Sequence, residues 1–84
     1  MGLDLVETVY RIEEEFEITI HDEAEYITTP RQLIDYLLNR PEVSPKWSRG
    51  YVSLSVWMIL EDELAIDRKD FNEDSRFIED MGAN

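Results

Sequence analysis

Cysteine is absent from this 84-residue chain, so no disulfide braces it and no thiolate can act as nucleophile or metal ligand. Its three glycines, Gly2, Gly50 and Gly82, are too scattered to build a phosphate-cradling loop. The one histidine, His21, stands beside Asp22 and Glu23 with no second histidine to join it, and reads as a surface residue. A Ser–His–Asp centre needs an oriented triad and an oxyanion hole, and no spacing here specifies either. The longest apolar run, Val56-Trp57-Met58-Ile59-Leu60, falls far short of the ~20 residues that span a bilayer. No basic stretch precedes an apolar segment near the first residue, so no signal peptide is expected. Basic side chains are scarce as well: 8 Lys and Arg face 20 Asp and Glu, a net charge of −12. That sign repels nucleic-acid phosphates and anionic membrane surfaces, and it steers basic partners inward. The expectation is a cytoplasmic protein that docks onto other proteins and is not an enzyme.

A chain of this length forms one domain and buries only about 60–65% of its unfolded surface, too little for a deep enzyme cleft. Its clearest segment is an amphipathic helix from Leu3 to Phe16. Leu5, Val9, Ile12 and Phe16 recur at helical spacing, while Asp4, Glu7, Glu14 and Glu15 occupy the other face. Glu17 to Ile20 is too short for a strand and reads as a loop that plugs Ile18 and Ile20 into the core. Asp22 to Tyr26 is expected to form one helical turn. Thr29-Pro30-Arg31-Gln32 then has a capping-box pattern, with threonine at the N-cap, proline at N1 and glutamine at N3. The helix it opens turns Leu33, Leu37 and Leu38 inward and stops at Arg40, before Pro41.

Pro41 to Ser44 reads as a linker and Ser44-Pro45 as an N-cap with proline at N1, so the next helix starts there or, because Gly50 weakens the region, only near Tyr51. From Tyr51 to Leu64, Val52, Val56, Ile59 and Leu60 form an inward stripe. Trp57 belongs to that packing, and Trp47 is placed to cover the joint between helices. Beyond Ile66 the chain is expected to be irregular, pinned by Phe71, Phe77, Ile78 and Met81. Asp70, Asn72 and Asp74 alternate like the opening ligands of a calcium loop. Ser75 then stands where a glycine makes the turn, and Met81 where a bidentate glutamate is needed. No metal site is expected.

Gly2-Leu3-Asp4-Leu5-Val6-Glu7, continued through Ile12-Glu13-Glu14-Glu15-Phe16, Tyr26-Ile27-Thr28-Thr29 and Ile34-Asp35-Tyr36, resembles the second half of an acyl carrier protein. Ile59-Leu60-Glu61-Asp62-Glu63-Leu64 and Asp74-Ser75-Arg76-Phe77-Ile78-Glu79-Asp80-Met81-Gly82-Ala83-Asn84 look like its first half. The resemblance therefore implies an all-α four-helix bundle of acyl-carrier type, circularly permuted, with long loops. Residues 2–40 match the family's second half, 41–50 join, and 51–84 match its first half. Asn84 would neighbour Gly2 in space, and Ile12 and Phe16 would share a core with Ile59, Leu60 and Phe77.

In that family an aspartate-serine-leucine motif carries the phosphopantetheine arm, and Gly2 stands where its serine belongs. Glycine has no hydroxyl, so no prosthetic group is expected on the chain as written. Ser53-Leu54 also follows a glycine, but it sits mid-helix, a poor place for an arm. The resemblance implies docking onto basic patches of acyl-handling enzymes of fatty-acid or polyketide type. Leu3 and Val6 would be the apolar anchors, and Asp4, Glu7, Glu13, Glu14 and Glu15 the charge. The alternatives are a genuine carrier of 4′-phosphopantetheine, whose serine precedes residue 3 in the natural chain or lies elsewhere, and a structural or regulatory helical adaptor. A monomer is expected, or a dimer that exchanges halves.

Overall fold

A computed structural model describes residues 3–20 and 25–83. It contains three α-helices, α1 (Leu3–Phe16), α2 (Pro30–Leu38) and α3 (Arg49–Leu64), followed by a 3₁₀ turn at Arg68–Asp70. The all-helical class and the α1 boundaries agree with the sequence reading. The four-helix bundle is not confirmed, three α-helices being present among the described residues. The segment expected to form a helical turn after Ile20 lies mostly outside them, as do Gly2, His21 and Asn84, so the expected meeting of the chain ends does too. None of the described helices is long and apolar enough to cross a membrane.

Both α1 and α2 pack against α3. Val52, Val56 and Leu60 of α3 are wholly buried, as are Ile34 and Leu37 of α2, and Ile12 of α1 is nearly so. Ile12, Phe16, Ile59, Leu60 and Phe77 belong to one buried cluster, which draws on all three helices and the C-terminal segment. Leu38 is only half-buried, packed against the core from its edge, whereas Ile34, one turn before it, is wholly buried.

The helix ends are set by local chemistry. Thr29 caps α2 as expected, its Oγ1 accepting from the Gln32 amide at 3.2 Å. The reciprocal bond shifts one residue upstream: Gln32 Oε1 accepts from the amide of Thr28, not from the cap itself. Of the two starts expected for the next helix, the one at Ser44-Pro45 is corrected, and the later one, near Tyr51, lies two residues from that observed at Arg49. Residues 40–47 wind through turns, with Val43 and Ser44 amides donating to the Arg40 carbonyl and the Trp47 amide to that of Val43. Those turns seat Val43 fully in the core. Helix α3 then opens under Ser48, whose hydroxyl accepts from the Tyr51 amide at 3.2 Å.

At the other ends, α1 and α3 stop on left-handed residues, Glu17 (φ 54°) and Ala65 (φ 54°). The Ile18 amide reaches back to the Glu13 carbonyl, and the Ile66 amide to that of Glu61, the wide bond of a Schellman stop. Ile18 and Ile20 then enter the core as expected. The irregular C-terminal segment is stitched to the start of α2. The Arg31 amide donates to the Glu73 carbonyl and the Phe77 amide to that of Thr28, both at 2.9 Å. Phe77 and Met81 are buried anchors and Phe71 is half-buried, but Ile78 is 55% exposed, a correction. Phe77 points inward, and its neighbour in the same turn therefore points out; Ala83 is the further residue that returns to the core.

Exposed Ala65 holds a backbone conformation that costs an L-residue with a Cβ about 1–2 kcal/mol. Ala65→Gly is expected to stabilise the fold by about 1 kcal/mol after its own unfolded-chain entropy is subtracted. The urea midpoint should rise with an unchanged slope; an unchanged or lower midpoint would show that the strain is relieved otherwise.

Candidate functional site

Successive residues of an α-helix are 100° apart, so α1 divides into a buried side, two flanks and a crest. Ile12 and Phe16 are buried, with Leu5 and Val9 packed against them. The outermost line is Glu7, Tyr10 and Glu14, all exposed. Asp4, Arg11 and Glu15 lie on the flank toward α3, and Val6 and Glu13 on the opposite one. Leu3 opens the helix. The residues expected to act together are thus spread over three lines of one helix.

Their chemistry differs accordingly. Glu7 and Glu14 carry open charge on the crest. Glu13 is committed inward: its carboxylate accepts from the Ile20 amide at 2.7 Å and holds the loop that follows α1. Glu15 accepts from the Tyr51 hydroxyl of α3 at 2.6 Å. That bond stabilises the neutral phenol and raises the Tyr51 pKa above its ordinary value. Arg11 is held by Asp62 and Glu63 at the far end of α3, so the two helices run antiparallel. Val6 is half-buried on its flank.

Tyr10 escaped the sequence reading. It is 59% exposed and sits between Glu7 and Glu14, three residues after one and four before the other. The signal was present: a large aromatic standing off the apolar line of Leu5, Val9, Ile12 and Phe16. Thr8 was missed as well. It is buried, and its hydroxyl donates to the Asp4 carbonyl at 2.8 Å, so that hydroxyl is not left unpaired inside.

Behind the crest lies a small apolar cavity of about 30 Å³ between α1, α2 and the loops, lined by Leu5, Val9, Ile12, Ile27, Leu33 and Phe77, among others. That volume is roughly the room of one water, and an apolar wall gives a water little to bind. An alkyl chain could enter only if α1 and the loop carrying Phe77 moved apart.

The remaining candidates are taken up by structure. Asn72 Oδ1 accepts from the Asp74 amide at 2.8 Å, and Ser75 Oγ from the Asn72 amide at 3.0 Å, so the alternating acidic segment closes turns on itself. The Asp74 carboxylate is occupied by Arg31, at 2.8 Å from its Nε, which holds its pKa below the usual value. Among the described residues no three His, Cys, Asp or Glu side chains converge to hold a metal. Trp47 covers the joint between α1 and α3, stacked on Tyr51 with ring centroids 4.6 Å apart and edge-on to Phe16 at 6.3 Å. Trp57 is buried in the core, with the Arg68 guanidinium 5.2 Å from its ring centroid.

Replacing Glu15 with Gln removes the charge that the Tyr51 phenolate would face. The Tyr51 pKa is then expected to fall back toward the ordinary phenol value, read from tyrosinate absorbance against the other three tyrosines. Because the folded pKa is raised, the contribution of this bond holds below the phenol range and is lost as pH rises through it. An unshifted titration would show that the two side chains do not meet in solution.

No protein-family model matches this chain, and no solved structure matches it.

Proposed function

We propose that the chain is an acyl-carrier-like docking module, in which α1 presents its acidic crest to basic patches on acyl-handling enzymes. One observation carries the reading: two open carboxylates, Glu7 and Glu14, flank an exposed aromatic, Tyr10, on a helix whose buried side closes an apolar cavity. Charge steers the encounter, and the aromatic supplies contact area that a charge cannot. The order of segments quoted from the sequence supports the carrier-type resemblance, with α3 and the C-terminal segment standing for the family's first half. Single exposed ion pairs contribute little, so the collective field outweighs any one carboxylate. In this reading the fold is a permuted carrier fold, the chain is monomeric, and it performs no catalysis.

A second reading is a genuine carrier whose serine precedes residue 3 in the natural chain or lies elsewhere, and it requires the small apolar cavity to open before an acyl chain could enter. The Gly2 form is expected to resist loading by a broad-specificity phosphopantetheinyl transferase with coenzyme A, since glycine offers no oxygen to the phosphate. Intact-mass measurement decides: an added arm mapped to any serine promotes the second reading over the first.

Docking has its own test. Affinity for a basic-surfaced acyl-handling enzyme is expected to fall steeply as the Debye length shrinks from ~10 Å toward ~3 Å. Charge reversal of Glu7 with Glu14 should slow association more than it speeds dissociation, and Tyr10→Ala should speed dissociation. Salt-independent binding, or a charge-reversed variant that associates like the parent, would remove α1 as the docking helix.

A further inference from the structure

Helix α3 is apolar on more sides than its packing uses. Val52, Val56 and Leu60 fill the core. On the opposite side Tyr51, Leu54 and Met58 are 37%, 52% and 59% exposed. Their spacing of three and four places all three on one line, about two turns long. A single exposed leucine or methionine is ordinary, but three large side chains in one helical stripe form a continuous surface that water covers poorly.

The border of that stripe is acidic. Glu61 and Asp62 follow Met58 at three and four residues and share a surface hollow with it and Arg11. Glu14 and Glu15 stand along the flank toward α1, in a second hollow with Arg11 and Ile59. Arg11 is the cation of both hollows, and Asp62 and Glu63 already hold it. The last turn of α3 carries no basic residue, although the negative end of the helix dipole favours one there. The stripe therefore combines apolar anchors with unbalanced negative charge along one border.

We propose that this face of α3 is a second docking surface, separate from the α1 crest, that takes a basic amphipathic helix from another protein. The occupant's apolar residues at i, i+3 or i+4, and i+7 cover Tyr51, Leu54 and Met58. Its lysines or arginines meet Glu15, Glu61 and Asp62. Helix-in-groove recognition works through this pairing of an apolar line with charge at its edge. A second copy of this chain is the wrong partner, because each copy carries a net charge of −12 and would set carboxylate against carboxylate. Methionine suits such a surface, since its unbranched side chain adapts to whatever packs on it.

The test uses the full chain and a designed probe, an amphipathic peptide with leucines at i, i+3, i+4 and i+7 and lysines elsewhere. A peptide of the same composition in scrambled order is the control. Calorimetric titration and methyl chemical shifts of Leu54 and Met58 are the readouts. The ordered peptide is expected to bind at least about tenfold more tightly than the scrambled one and to shift both methyls. Leu54→Gln with Met58→Gln should weaken binding about tenfold while the unfolding temperature holds, because both side chains are exposed. Glu7→Gln with Tyr10→Ala serves as the crest control, and the Leu54 and Met58 methyl shifts should persist in it. Equal binding of both peptides, shifts confined to α1, or affinity indifferent to the Leu54 and Met58 changes would overturn the proposal. Self-association of the chain through Leu54 and Met58, seen by sedimentation, would overturn the choice of partner. Since the α1 crest and α3 stripe are changed separately, failure of one surface leaves the other to stand on its own result.

Discussion

Everything in this molecule leans on the buried line of Val52, Val56 and Leu60. Helices α1 and α2 each pack on α3, which is the common wall of the core. In a chain this small the burial of a few large side chains decides stability, since truncating one costs about 2–5 kcal/mol against a total of about 5–15. The C-terminal segment has no helix to bury and is held differently. Two backbone hydrogen bonds to the start of α2 and the side chains of Phe77 and Met81 fasten it. Glu73 adds charge at that seam, bridging Arg31 of α2 and Arg49 of α3.

Periodicity made much of this readable from the residues alone. The apolar line from Leu5 to Phe16 gave α1 its limits, and the Thr29–Gln32 pattern gave the start of α2. What escaped were positions governed by contacts distant in sequence. Ser44-Pro45 has the local grammar of a helix start, but the burial of Val43 keeps the chain in turns until Ser48. Ile78 is as apolar as Phe77, and only the geometry of their shared turn decides which one goes inside. Within the candidate site, composition showed that α1 is acidic but not how its carboxylates divide. Glu13 is drawn to the Ile20 amide and Glu15 to Tyr51, which leaves Glu7 and Glu14 to face outward.

The placement of charge carries its own tension. Glu13, Glu14 and Glu15 crowd the C-terminal end of α1, and Glu61, Asp62 and Glu63 that of α3, where helix dipoles disfavour anions. Antiparallel packing softens the first case, since Glu15 meets the N-terminal turns of α3 through Tyr51. Arg11 softens the second. The residual field costs the isolated domain some stability and remains available to a cationic partner. Natural proteins commonly accept that exchange at surfaces they use.

The two indoles give the molecule a pair of optical reporters with different loyalties. Neither buried Nε1 donates to a protein acceptor. Trp47 lies between Phe16 and Tyr51, with the Lys46 ammonium 5.3 Å from its ring centroid, and so it senses whether the end of α1 is seated on α3. Trp57 lies beneath Arg68, at the point where the irregular segment leaves the helix, and it senses whether that segment is closed. Emission from one ring can therefore change while the other stays dark to the event. With either tryptophan replaced, the emission of the other would report on its own place in the fold, the seat of α1 for Trp47 and the start of the irregular segment for Trp57.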